Sequence, residues 1–395
     1  MVDNKIWTED FLGLIFLAVI CNMGVSLLIP IIPLLMKSYG FSTQQMSAVF
    51  FAQVLARFLS ANIAGYLLTR INSYKVLWGA LGIYIPVMAC FPFVRTFPPF
   101  VILRACEGIF EGLGIVSINN LVISLSTKDD RGPKMGYFTA AFGLGFILGP
   151  PFGAFAYGVA KQFGLFWSTG SLALIGFIWL IFKHRLFSHV CEIDPSKTPK
   201  NIFQSYDKTF IRILPFYSPL VLRRVLLLSF AILLPLYLNE LYNLPATKIA
   251  FYFTGSAIIT TSLMPFTGKI LNGTLCKWKV IVALLVMGFC VLGFGFVSNP
   301  ISFTILYIIE TVAFSFLIPG VMKLFGDIIE AHPKRGQILG AGTGLAELSA
   351  VFVPITVLPL YKINYMLPWI LLSSLALSAS IPFWKFRHGY VFNDE

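Results

Sequence analysis

The sequence predicts an all-α membrane protein: twelve transmembrane helices in two pseudo-symmetric six-helix bundles. Three observations lead there. Hydrophobic residues make up 57% of the 395 positions and charged residues only 12%, where a soluble domain carries about 25% charged residues. A chain this apolar has lipid for its solvent. The apolar residues gather into twelve stretches, each near the roughly 20 residues that a spanning helix needs. Finally, residues 131–150, RGPKMGYFTAAFGLGFILGP, recur as residues 335–354, RGQILGAGTGLAELSAVFVP. Arg131, Gly132, Gly136, Thr139, Leu144 and Pro150 match Arg335, Gly336, Gly340, Thr343, Leu348 and Pro354 at a constant offset of 204. That offset is close to half the chain, as in a tandem duplication. Each copy is a short basic loop running into a long apolar segment, and a duplicated membrane bundle is the architecture of many secondary transporters.

In chain order, hydropathy places the spans near 11–36, 44–69, 76–94, 99–125, 136–159, 165–182, 220–238, 247–270, 280–297, 301–325, 336–360 and 366–384. These are helices by length, since barrel strands would be about ten residues with alternating polarity. Prolines punctuate them: Pro30 and Pro33 in the first, Pro86 in the third, Pro150 and Pro151 in the fifth, Pro235 in the seventh, Pro265 in the eighth, Pro319 in the tenth and Pro354 in the eleventh. In a bundle, neighbouring helices re-satisfy the backbone groups that proline frees, and the kinks remain as bends. The one sustained polar stretch, KHRLFSHVCEIDPSKTPKNIFQSYDKTF, follows the sixth span. It divides the chain into a first bundle (1–182), a cytoplasmic linker (183–219) and a second bundle (220–395). The linker is too short and too poor in periodicity for a folded domain. It reads as a connection with a short amphipathic helix, its basic residues near anionic lipid heads.

The net charge of +12 has a topological reading. With the N-terminus in the cytoplasm, the opposite side holds only Lys37, Arg95, Lys161, Lys248 and Lys362 of the 29 Lys and Arg, while Arg57 and Arg104 fall inside spans. This is the positive-inside bias, and it sets both termini in the cytoplasm without calling on nucleic acid. The opening residues, MVDNKIWTED, carry more acid than base, and the apolar stretch after them is too long for a cleavable signal. Cys21, Cys90, Cys106, Cys191, Cys276 and Cys290 show no paired spacing and are expected as free thiols. His184, His189, His332 and His388 all fall in loops or tails. No metal-ligand cluster, G-x-S-x-G motif or Walker pattern is present, so an enzyme, a metal site and a cofactor are not expected.

Four local patterns carry more specific information. After the second span comes GYLLTRINSYKVL, from Gly65 to Leu77; the fourth span holds RACEGIFEG, from Arg104 to Gly112; the fifth holds GFILGPPFGA, from Gly145 to Ala154; and the first holds PIIP, from Pro30 to Pro33. With twelve spans and the repeat, they make the chain resemble the major facilitator superfamily over its whole length, most of all its twelve-span drug and metabolite:proton antiporters. Gly65, Leu67, Arg70 and Lys75 match the family's signature loop, but Thr69 stands where its aspartate belongs and Asn72 replaces the following glycine. The resemblance implies a gating role for Gly65 and Arg70. The acid that helps lock the cytoplasmic gate in the family is absent from this loop. A faded copy, GKILNGTLCKWKV, begins at Gly268. The fifth-span pattern is close to the antiporter signature, with Ala154 in place of the last glycine. Ala141, Gly145, Gly149 and Gly153 fall four apart on one helix face, where small residues let backbones approach. The resemblance places this face against the eighth span and makes Gly145, Gly149, Pro150 and Gly153 a hinge. The competing reading is a tight helix contact without directional meaning.

Ionisable groups at membrane depth cost about 2.5–3.5 kcal/mol each on insertion scales and are usually functional. Arg57 lies near the middle of the second span, Glu111 of the fourth and Glu347 of the eleventh; Arg104, Glu107 and Glu310 lie nearer the outer side. Arg104, Glu107 and Glu111 form one helical stripe, expected to face a central cavity. A carboxylate such as Glu111 that pairs with arginine in one state, and with a proton or cargo in another, would couple two fluxes. A permanent ion pair is the alternative. Arg57 is expected to pair with Glu347 across the two halves, or else with Glu111. Glu347 breaks the repeat, since Gly143 holds its place in the first copy. Asn22, Gln53, Asn119 and Asn120 either touch cargo or bridge helices, and Thr254 is expected to bond back to its own helix.

These features point to a secondary active transporter that moves a small organic solute by alternating access, with proton-coupled export of a drug, metabolite or siderophore favoured. An uptake symporter for an organic anion or iron-siderophore is the alternative, and a non-transporting receptor is a more distant one. Partners are then the solute, protons and membrane lipids. A monomer in a bacterial inner membrane is expected.

Overall fold

The computed structural model describes residues 7–68, 70–126, 131–183, 217–271, 276–329 and 335–385. The predicted linker lies almost wholly outside them, as do His184, His189, His332, His388 and Cys191. The described residues form helices: α1 (Glu9–Ser26), α2 (Ile32–Ser38), α3 (Thr43–Leu67), α4 (Ser73–Cys90), α5 (Phe97–Ser124), α6 (Arg131–Phe182), α7 (Ser218–Tyr242), α8 (Ala246–Leu271), α9 (Cys276–Phe294), α10 (Pro300–Ile329), α11 (Arg335–Ile363), α12 (Leu367–Ser378) and α13 (Ile381–Lys385). Nine helical stretches among them are long and apolar enough to cross a membrane. One of these, Lys134–Phe182, spans 49 residues, about twice what one crossing needs. Large apolar side chains such as Phe155, Val159 and Phe182 stand exposed along the helices, a surface that lipid would cover.

Local sequence explains the helix ends. Ser42 and Gln45 form a reciprocal capping box at the start of α3. The Asn72 side chain accepts from the Tyr74 N–H at 2.9 Å and caps α4. Asn72, which takes the place of the glycine in the family loop, therefore starts the next helix. The first predicted span is interrupted: α1 ends at Ser26, a turn follows, and α2 begins at Ile32 with Pro33 in its first turn. Pro30 and Pro33 have no N–H to continue the ladder, so the chain breaks there.

The chain divides into two compact units. Unit 1 holds residues 1–198 together with 244–257, the first half of α8. Here α3 packs on α5, α4 on α5 and α6, and α1 on α6. Helix α6 is broken at Ala160 and Lys161, where Lys161 takes the left-handed φ of 51°. Gly164 lies directly against the Ala156 carbonyl, so the chain reverses at once. The first arm runs parallel to α1, with Gly145 against Asn22 and Gly153 against Leu27. The second arm runs back along it, with Thr169 near Gly24 and Gly176 near Leu17. The fifth and sixth predicted spans are these two arms.

Unit 2 holds residues 199–243 and 258–395. In it α9 packs on α10 and α12, and α7 on α11. The two cores repeat one another. In unit 1 Phe91 stacks on Phe166 at 4.5 Å and meets Phe100 edge-on at 5.4 Å. In unit 2 Phe294 meets Trp369 at 5.4 Å and Phe303 at 4.7 Å. Phe91 and Phe294, Phe100 and Phe303, and Phe166 and Trp369 are each 203 positions apart. All six rings are fully buried; lipid supplies no hydrophobic drive between helices, so their contribution is close packing, about 0.5–1.5 kcal/mol for each aromatic pair.

Candidate functional site: a charged network between α3 and α5

Gly108 and Gly112, four residues apart on α5, carry no Cβ where α3 approaches. A methyl group at Gly108 would run into the Gln53 carbonyl, and one at Gly112 into the Ser60 hydroxyl and the Arg57 carbonyl. The Ser60 hydroxyl donates to the Arg57 carbonyl at 3.1 Å and to the Gly108 carbonyl at 3.4 Å, tying the two backbones together. This close approach sets Gln53 and Arg57 of α3 opposite Arg104, Glu107 and Glu111 of α5.

A chain of polar contacts follows. Arg104 donates through Nη1 to Glu107 Oε2 at 2.6 Å, and through Nη2 to Gln53 Oε1 at 2.6 Å. Gln53 Nε2 donates to Glu111 Oε1 at 3.5 Å, and Arg57 Nη1 stands 3.8 Å from Glu111 Oε2. The Arg104 guanidinium also lies 5.7 Å from the centre of the Phe50 ring. Arg104 and Glu107 are buried, at 4% and 1% exposure, whereas the Arg57 side chain keeps 29%. The network is therefore tight and sealed at the Glu107 end and loose and open at the Arg57 end. Two arginines against two glutamates leave it neutral. Tyr84 of α4 stands in the field of these carboxylates, and its buried hydroxyl has no hydrogen-bond partner among the described residues.

The structure corrects several expectations. Within unit 1 Arg57 stands by Glu111, the second of its two expected partners, and within unit 2 Glu347 pairs with Arg224 at 2.9 Å. The stripe of Arg104, Glu107 and Glu111 makes its contacts with α3, because the adjacent glycines draw that helix in. Asn22 spends its amide on the Ala18 carbonyl of its own helix at 3.0 Å, and packs against Gly145. The fifth-span glycines Gly145, Gly149 and Gly153 face Asn22, Ser26 and Leu27 of α1, with Ser26 Oγ donating to the Gly145 carbonyl at 2.8 Å. They make a tight helix contact there. Helix α6 meets α8 elsewhere: Thr254 Oγ1 donates to the Ile147 carbonyl at 3.3 Å, not to its own helix. In the signature loop the Arg70 guanidinium lies 4.7 Å from the centre of the Tyr66 ring, and nothing lies within 4 Å of a Cβ position at Gly65. Asn120 donates to Ser73 Oγ at 2.7 Å and bridges α5 to α4.

In unit 2, Glu310 of α10 is 2% exposed and makes no ion pair among the described residues; its Oε1 is buried without a partner. Arg223 and Arg224 of α7, beside Glu347, were not singled out in the sequence. They had been counted among the basic residues of a cytoplasmic span end, and nothing in their local pattern marks them as a site.

Two repeated bundles of long apolar helices with charged groups buried inside define a multi-pass membrane transporter. The chain matches the Major Facilitator Superfamily over residues 14–386 and belongs to it. It is 22% identical over 357 residues to the quinolone resistance protein NorA of Staphylococcus aureus (strain Mu50 / ATCC 700699), with 88% of each chain covered. It is 23% identical over 364 residues to multidrug resistance protein 2 of Bacillus subtilis (strain 168), again with 88% of each covered. Among solved structures, the human organic anion transporter MFSD10 (TETRAN) matches with a TM-score of 0.69 and 16% identity over 95% of this chain and 100% of that one. A peptide transporter, POT, solved with sulfate, matches with a TM-score of 0.76 and 12% identity over 95% and 94%. These two establish likeness of fold.

Proposed function

We propose that the protein exports a small organic solute by alternating access, in exchange for protons, from the cytoplasmic membrane of a bacterium with both termini in the cytoplasm. The relatives named for quinolone and multidrug resistance favour export. The observation that supports proton coupling lies inside the molecule. Glu107 and Glu310 are 203 positions apart, the same separation as the repeated aromatic residues, and both are buried. Glu107 is neutralised by Arg104, but Tyr307 stands in the place that corresponds to Arg104. A carboxyl at membrane depth with no arginine beside it has a proton as its remaining counter-charge. Glu111, held by long contacts of 3.5 and 3.8 Å, is the second carboxylate able to exchange partners during a transport cycle.

Proteoliposomes containing a pH-sensitive dye test this with amphipathic cations, organic acids and siderophores as solutes. Solute-dependent proton movement in the wild type, abolished in Glu310→Gln, is the expected result. Full coupled movement in both Glu310→Gln and Glu111→Gln would remove these carboxylates from the mechanism. Solute and proton moving in the same direction would replace export with uptake.

A further inference from the structure

Unit 2 holds a charged cluster that the coupling scheme leaves unused. Arg223 and Arg224 are consecutive, less than two turns into α7. Arg224 Nη2 pairs with Glu347 Oε2 of α11 at 2.9 Å. Arg223 lies in the field of the same carboxylate but forms no ion pair or hydrogen bond among the described residues, and its Nε is buried without a partner. Among the described residues, two guanidinium groups therefore share the field of one carboxylate. The network in unit 1, built from the same residue types, is balanced.

The cluster is also open. The Arg224 and Glu347 side chains keep 17% and 30% of their exposure. Gly344, three residues before Glu347 and so on the same side of α11, has nothing within 4 Å of where a Cβ would stand. At the end of α7 nearest the cluster, the fully buried Tyr217 ring packs against Gly342, and Ser218 Oγ donates to the Ala379 carbonyl at 3.3 Å. The helices are thus closed together below the arginines and leave space beside them. Lipid tails are a poor neighbour for a partly exposed ion pair, and water or a polar group of a solute suits this space better. A guanidinium presents its donors in a planar fork that matches a carboxylate, which an ammonium group does not.

We propose that Arg223 and Arg224 bind the carboxylate of an amphipathic organic acid carried by this protein, and that Glu347 is the internal competitor holding Arg224 in place when the cargo is absent. The inference rests on the reading of the chain as a carrier of small organic solutes. It adds the charge class of that solute. Anionic lipid is the rival occupant, since a phosphate fits the same fork.

Equilibrium binding to the full-length protein in phosphatidylcholine nanodiscs tests it, with naphthoate and methyl naphthoate as a matched acid and ester read by tryptophan quenching. The acid is expected to bind at least about tenfold more tightly than the ester, the scale of one charge-assisted contact. Arg223→Gln leaves the Arg224–Glu347 pair intact, and should bring the acid-to-ester preference to within about twofold while ester affinity is unchanged. Glu347→Gln removes the competitor and should strengthen acid binding about tenfold. Equal binding of acid and ester by the wild type, no binding of either, or a preference that survives Arg223→Gln would each overturn the site. An acid preference lost when phosphatidylglycerol replaces phosphatidylcholine, in wild type alone, would assign the arginines to lipid. Binding is measured without a proton gradient. Failure here leaves the proton-flux result standing, and failure of proton coupling leaves this one standing.

Discussion

Gly108 of α5 lies directly against the backbone carbonyl of Gln53 in α3, with no room for a methyl group between them. The polar links between α3 and α5 depend on that approach. Arg104 and Glu107 pair within α5, but Gln53 reaches both Arg104 and Glu111, and Arg57 stands by Glu111, across the gap that the glycines close.

Gly112→Ala should separate the two helices. The added methyl meets the Ser60 hydroxyl and the Arg57 carbonyl, and overpacking of this kind costs about 1–3 kcal/mol. Gly136→Ala, where nothing lies within 4 Å, should be neutral or mildly stabilising. Thermal unfolding of the purified protein in detergent compares the two, and an equal effect would count against the close contact.

Arg104→Gln leaves the 1%-exposed Glu107 with its charge unmatched, a loss of about 3–5 kcal/mol for a broken buried pair. The double variant Arg104→Gln/Glu107→Gln should recover most of that loss. Expression level and unfolding midpoint of the three proteins decide it. A double variant no more stable than Arg104→Gln would mean that the pair does not hold this end of the network.

A double-mutant cycle on Arg57 and Glu111 should give a coupling near the low end of the usual range, about 0.5–1 kcal/mol, because the contact is 3.8 Å and partly exposed. The cycle on Arg57 and Glu347 should be additive to within about 0.5 kcal/mol. The reverse pattern would restore the pairing between halves.

Lys161 holds a φ of 51°, which costs a residue with a side chain about 1–3 kcal/mol. Lys161→Gly should keep or raise the unfolding midpoint, and the β-branched Lys161→Val should lower it. Equal midpoints for Gly and Val would mean that the reversal does not require a left-handed residue.

The spans could be read from hydropathy because lipid imposes length and apolarity on each segment separately. The break after Ser26 could not, since Pro30 and Pro33 sit in a stretch whose hydropathy never falls. The repeat at an offset of 204 was visible in glycines and an arginine. The repeat of the aromatic cores was hidden, because Phe166 became Trp369 and Phe is common, with 39 in the chain. Helical spacing placed Arg104, Glu107 and Glu111 on one face but could not say which helix that face meets. The answer lay in Gly108 and Gly112, inside the same RACEGIFEG segment, and needed the position of α3. Arg224 escaped notice as the partner of Glu347 because basic residues at a span end already had an explanation in topology.

The reversal within α6 bears on how the chain is made. Its two apolar arms are joined by a turn so short that Gly164 already touches Ala156. Only Lys161 and Gln162 interrupt the apolar run there, so scarcely any polar chain has to be carried across the bilayer between the fifth and sixth spans. Two arms joined in this way are expected to enter the membrane together, as a hairpin leaving the ribosome in one piece, with their antiparallel pairing settled during synthesis.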